Sequence, residues 1–147
     1  MSKPQTQEER QSVFTRLPAP PAAETLGWEL IAENPEAGAI EIAFHPGHGF
    51  LNPHGTVQGG FVAAMLDDTM GPALVSMTDG ACIPSSLDMN VTFLRPVKPG
   101  RVIGKGRVVK LGKSLAFLEA ELFDEEGALL ARATSTARVM RTSDAKS

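Results

Sequence analysis

One cysteine, Cys82, stands in 147 residues, which excludes an internal disulfide and fits a reducing cytosol. No local signature makes Cys82 a nucleophile, and it reads as a buried or incidental thiol. Long apolar runs are missing too. The strongest, Phe61 to Leu66, resumes only after Thr69, with Asp67 and Asp68 in its middle. That is too short and too charged to span a bilayer. The opening MSKPQTQEERQSVF lacks the apolar segment of a secretory signal. Positive charge is not in surplus either: a formal net charge of -3 gives no footprint for nucleic acid or a membrane surface. The expected setting is the cytoplasm. No repeat or second domain is visible, so one domain over residues 1–147 is expected.

What is present suits a globular chain. Hydrophobic residues at 42% and charged residues at 21% suffice for a single core. Residues 6–17 read as a short amphipathic helix with Val13, Phe14 and Leu17 on one side, stopped by the run Leu17-Pro-Ala-Pro-Pro. Trp28 to Glu33 and Ala39 to Phe44 read as a strand pair across the turn Asn34-Pro-Glu-Ala-Gly38, with Ile40, Ile42 and Phe44 in period-two alternation. A loop rich in Gly, His, Pro and Asn follows, of the kind that carries function. From Gln58 to Met70 the sequence is helical and apolar almost all round, which predicts a buried helix. Pro72 is expected to kink or end it.

Four more strands are predicted. Leu87, Met89, Val91 and Phe93 alternate with Ser86, Asp88, Asn90 and Thr92. Arg101 to Leu111, Ser114 to Phe123 and Ala128 to Met140 follow, joined by plausible turns, and Thr142 to Ser147 is expected to fray. One apolar helix and six strands imply an α+β arrangement, an antiparallel sheet curled around the helix. The open edges and outer face of one sheet favour self-association.

The segment Asn52 to Asp68 holds the chemistry-bearing residues. Gly59 and Gly60 stand where the helix begins. Either they let a ligand reach the free N–H groups of the first turn, donors suited to a carbonyl oxygen gaining negative charge, or they permit close packing of loop and helix. Asp67 and Asp68 interrupt an apolar helix, where a carboxylate is costly unless paired, hydrogen-bonded or used; the alternative is that both edge into solvent at a kink. Adjacent helical positions point about 100° apart, so the two acids have different environments.

Asn52, then Gly55-Thr-Val-Gln-Gly-Gly60, then Leu66-Asp67 resembles the signature N-x-x-G-T-x-H-G-G-(x)6-D of PaaI-like hotdog acyl-CoA thioesterases. Ser86-Leu-Asp-Met-Asn-Val-Thr-Phe and Gly112-Lys-Ser-Leu-Ala-Phe resemble later family segments, and the likeness runs over about residues 26–140. It implies the hotdog fold and hydrolysis of an acyl-CoA thioester without a cofactor. By resemblance, Asp67 is the acidic catalytic residue, as base or nucleophile, and the Gly59 N–H polarises the carbonyl. Asn52 orients carbonyl or water, and Ser86 supports that water. Asp68 matches no role and reads as structural. The departure is Gln58 where the family has His: an amide still hydrogen-bonds but does not titrate near neutral pH.

Gly59 and Asp67 lie eight residues apart, about 12 Å along a helix. A carbonyl held about 3 Å from the Gly59 N–H is then out of reach of the same chain's Asp67. A second subunit would supply its own, giving two shared sites per dimer; the family implies a tetramer of such dimers. Gly60, His54 and Phe61 complete the expected substrate contacts, with Phe61 lining the acyl channel and His54 the candidate to compensate for Gln58. His45, His48 and His54 fit no common zinc spacing, so no metal is expected. Of Arg95, Lys98, Lys110 and Lys113, ordinary surface charges otherwise, Lys113 is the candidate for the CoA phosphates. The competing functional readings are a hotdog module that binds acyl-CoA without turnover, which Gln58 favours, and an enoyl-CoA hydratase, whose Asp–His spacing is not matched.

Overall fold

The computed structural model describes residues 11–144. Its order is a 3-10 turn at Val13–Thr15, α1 (Pro21–Leu26), β1 (Glu29–Asn34), β2 (Ala39–Phe44), a second 3-10 turn at His48–Phe50, α2 (Gly59–Met77), then β3 (Cys82–Phe93), β4 (Val102–Leu111), β5 (Leu115–Phe123) and β6 (Leu129–Arg141). The six strands form one antiparallel sheet in the order β1-β2-β4-β5-β6-β3. α2 lies against it, with Met65, Leu66, Met70 and Leu74 at 0–1% exposure. This is the expected α+β hotdog arrangement. No helix among the described residues is long and apolar enough to cross a membrane.

The close approach of helix to sheet depends on two glycines of β4. Gly104 and Gly106 face Thr69, whose hydroxyl is turned back onto the Met65 carbonyl at 2.7 Å. A Cβ on Gly106 would stand 2.6 Å from the Thr69 backbone oxygen, closer than any real contact. Alanines 116, 120, 131, 133 and 137 carry the small-residue surface across β5 and β6, all buried. A thick helix nests where the sheet is thin.

Four expectations are corrected. The amphipathic helix over residues 6–17 is one 3-10 turn, Val13–Thr15, within the described part, while residues 6–10 lie outside it. Val13 is buried and Phe14 packs on Trp28, but Leu17 is 47% exposed. The Pro-rich run does not merely stop a helix. Pro21 opens α1, because a first-turn N–H needs no helical acceptor and proline's φ is already helical.

Pro72 does not end α2, which runs five residues further. The carbonyl it deprives of a donor is that of Asp68, four residues back, and the Trp28 indole nitrogen donates to that oxygen at 3.0 Å. With the helix prolonged, Asp67 and Asp68 sit mid-helix, away from its negative end. In β3 the alternation holds less well than its sequence implies. A bulge between Ser86 and Asp88 resets the register, and Leu87 and Phe93 are 61% and 56% exposed. Of the tail expected to fray, residues 142–144 form a turn and 145–147 lie outside the described part.

Candidate active site

The loop before α2 is closed by backbone bonds. Leu51 bridges Val57, the Val57 N–H reaches the Val97 carbonyl at 2.7 Å, and the Gln58 N–H reaches the Phe50 carbonyl at 2.8 Å. Asn52 organises its interior. Its Oδ1 accepts the N–H groups of His54 (3.0 Å) and Thr56 (3.2 Å), and its Nδ2 donates to Thr56 Oγ1 at 2.9 Å. An amide nitrogen carries two hydrogens, so one remains for a ligand after the loop is built. His54 is exposed and contributes only its backbone here.

Gln58 is the N-cap of α2, exposed, and its side chain caps nothing. Its carbonyl accepts from Phe61 and Val62. Among the described residues, no hydrogen bond engages the N–H of Gly59 or of Gly60. Two donors therefore point out of a helix N-terminus, the end where the dipole favours negative charge. Among the described residues, nothing outside its chain neighbours and the helix's own backbone comes within 4 Å of a Cβ built on Gly60, so a ligand has room to arrive. Phe61 stacks on Phe50, centroids 4.2 Å apart and planes 7° from parallel.

Two turns along, Asp67 is exposed and Asp68 half-buried. Ser86 Oγ donates to Asp67 Oδ1 across a long 3.4 Å, beside the β3 bulge that re-aims this part of the strand. Asp68 is the more strained acid. One of its oxygens, Oδ2, is buried without a hydrogen-bond partner, and burial, then the Asp67 charge, push its carboxyl from 3.8 to about 6.

Within one chain the predicted residues fall into two groups. Asn52, Gln58, Gly59 and Gly60 gather at the start of α2; Asp67 and Ser86 gather at its middle. Lys113 lies in the β4–β5 hairpin, exposed. The register Leu111–Ala116–Ala137–Ser86 puts that hairpin at the Ser86 end of the sheet. Phe93, at the other end of β3, is a site neighbour that sequence reading assigns to a buried face. Its ring lies over Gly59, 3.4 Å from where a Cβ would be. Only the fold brings these two together. Among the described residues no three His, Cys, Asp or Glu side chains are grouped to hold a metal ion.

The family model of the thioesterase superfamily matches residues 54–131, a span that contains all of α2 with both acids. The chain belongs to the thioesterase superfamily. Acyl-coenzyme A thioesterase 13 of Mus musculus is 33% identical over 110 residues, covering 73% of this chain and 76% of that protein. A crystal structure of a thioesterase related to phenylacetic acid degradation, from Ralstonia eutropha JMP134, is 40% identical, with a TM-score of 0.77 over 86% of this chain and 95% of the other. The Escherichia coli PaaI protein shares the fold at 19% identity and a TM-score of 0.70, covering 80% and 83%. This superfamily member is thus a PaaI-like hotdog protein and a thioester hydrolase.

Proposed function

We propose that the chain hydrolyses an acyl-CoA thioester to a free carboxylic acid and CoA, at sites each shared by two copies. The thioester oxygen accepts the Gly59 N–H, with Gly60 beside it, and the remaining Asn52 amide hydrogen and the Gln58 amide orient the group. The partner subunit's Asp67 either takes a proton from water as it attacks the carbonyl carbon, or attacks itself to give a mixed anhydride that water then cleaves. In both routes the C–S bond breaks and the sulfur leaves as CoA thiol. Ser86 steadies the Asp67 carboxylate and its water. Phe61 borders the acyl channel, His54 its mouth, and Lys113 meets the CoA phosphates. The working assembly is a tetramer of two such dimers in the cytoplasm.

The observation that carries this reading is the free Gly59 N–H on the same helix as an exposed Asp67, eight residues on. About 12 Å of helix separates them, too far for one carbonyl. Among the described residues β3 is an unpaired edge, and unpaired edges seek partners. Two such edges paired antiparallel about a two-fold axis near the middle of the stretch from Ser86 to Phe93 would lay the Ser86 end of one strand beside the Phe93 end of the other. The name of the mouse relative supports acyl-CoA as substrate.

A panel of acyl-CoAs tests the chemistry: steady turnover by the protein should be abolished by Asp67→Asn. Binding of the esters without turnover would leave a non-catalytic acyl-CoA-binding module instead. Mixing Asp67→Ala with Gly59→Pro tests the sharing. Proline is tolerated at the first helical position and removes only the N–H, so a mixed dimer retains one intact site. Failure of a verified mixed dimer to regain activity would contradict shared sites.

A further inference from the structure

Phe93 ends β3 and is 56% exposed as a residue, though it is paired on one side with Ala131 of β6. Among the described residues, the edge of the Phe93 ring, Cε1 and Cζ, is the only group outside the chain neighbours and the helix's own backbone within 4 Å of a Cβ placed on Gly59. Phe61 is committed to its stack on Phe50. The space over Gly60 is open. The backbone donors at the start of α2 are therefore flanked by one exposed aromatic wall and one vacancy.

A carbonyl oxygen bound to the Gly59 N–H brings both substituents of its carbon close to that wall. One is the sulfur of the CoA arm, whose next groups are amides that keep their water. The other is the acyl chain, which gains from leaving water against an apolar ring. We propose that Phe93 is a specificity-determining residue: the first acyl carbons beyond the carbonyl pack on its ring. This rests on the thioesterase reading above.

The test compares acetyl-CoA with hexanoyl-CoA in the full-length protein and in Phe93→Ala and Phe93→Leu. Pockets discriminate acyl length through contacts worth about tenfold or more per group. Phe93→Ala should lower kcat/KM for hexanoyl-CoA by about tenfold and for acetyl-CoA by less than about threefold, with Phe93→Leu between. Equal losses on both esters would mean that the ring meets the CoA arm, and would overturn the proposal. So would conversion of a dimer to a monomer in sedimentation, which would make Phe93 an interface residue alone. The same ratio is read from the Kd values of ketone analogues with methylene in place of sulfur. If the unmodified protein turns over neither ester, the enzyme reading falls. The analogue ratio then decides Phe93 alone, and an unchanged ratio, or no binding at all, rejects it.

Discussion

The indole nitrogen of Trp28 donates to the backbone oxygen of Asp68 at 3.0 Å, the acceptor that Pro72 leaves without its helical donor. One side chain from the α1–β1 connection thus repairs a break inside α2. It does so at the acid next to Asp67.

Trp28→Phe should keep the ring's packing on Phe14 but leave that carbonyl short of a donor, costing about 1–3 kcal/mol in chemical denaturation. Pro72→Ala restores an N–H four residues on. In that background the cost of Trp28→Phe should shrink by about 1 kcal/mol, a coupling that a double-mutant cycle reads directly. Strict additivity would mean that the indole bond does not substitute for the helical one.

Gly106→Ala should destabilise more than Gly104→Ala. The new Cβ at 106 meets the Thr69 backbone oxygen at 2.6 Å, whereas the one at 104 meets first the Thr69 hydroxyl. Overpacking of this kind costs about 1–3 kcal/mol. Thr69→Ala should relieve part of the Gly104→Ala penalty and little of the Gly106→Ala penalty. Equal rescue of both, measured by thermal melts, would contradict the geometry.

How much of this was legible depends on the range of the physics. β2, β4, β5 and β6 were readable to within a residue because a strand's period shows in its own sequence. The signature from Asn52 to Asp67 was readable because its spacing is local. The length of α2 was not, because Pro72 is rescued by Trp28, distant in sequence. Nor was the start of α1, where Pro21 begins the helix that its neighbours seemed to forbid. Phe93 over Gly59 and the unpartnered Oδ2 of Asp68 are products of tertiary packing. The division of the site into two groups was legible from helical rise alone.

Asp68 should make stability fall as pH rises. Its carboxyl is raised from 3.8 to about 6 by burial and by Asp67, so the folded protein holds a proton that the unfolded chain has released. The folded state is relatively disfavoured from about pH 4 upward, and the penalty is complete above about pH 6. At face value the difference is about 3 kcal/mol; solvent contact of this half-buried group reduces the expected effect to about 1 kcal/mol. Asp68→Asn should therefore raise Tm at pH 8 by roughly 4 °C and leave it nearly unchanged at pH 4. A gain of the same size at both pH values would show that the charge is not the cause.

Gln58→His addresses the one departure from the family signature. The Gln58 side chain is exposed and caps nothing, while its backbone alone receives Phe61 and Val62. The swap should therefore leave α2 intact. A neutral imidazole still donates one N–H where the amide carries two, so if this position only orients the thioester through one donor, kcat/KM should change by less than about threefold. Gln58→Leu, which has no donor, should lose about tenfold, the worth of one ordinary hydrogen bond. The pH profile separates this from a requirement for charge. Under orientation alone, the ionisation that Gln58→His introduces near pH 6.5 leaves the activity profile without a new step there. A large gain in activity confined to pH below about 6.5 would instead mean that a cation at this position drives the reaction, and that the amide of Gln58 holds the native rate down.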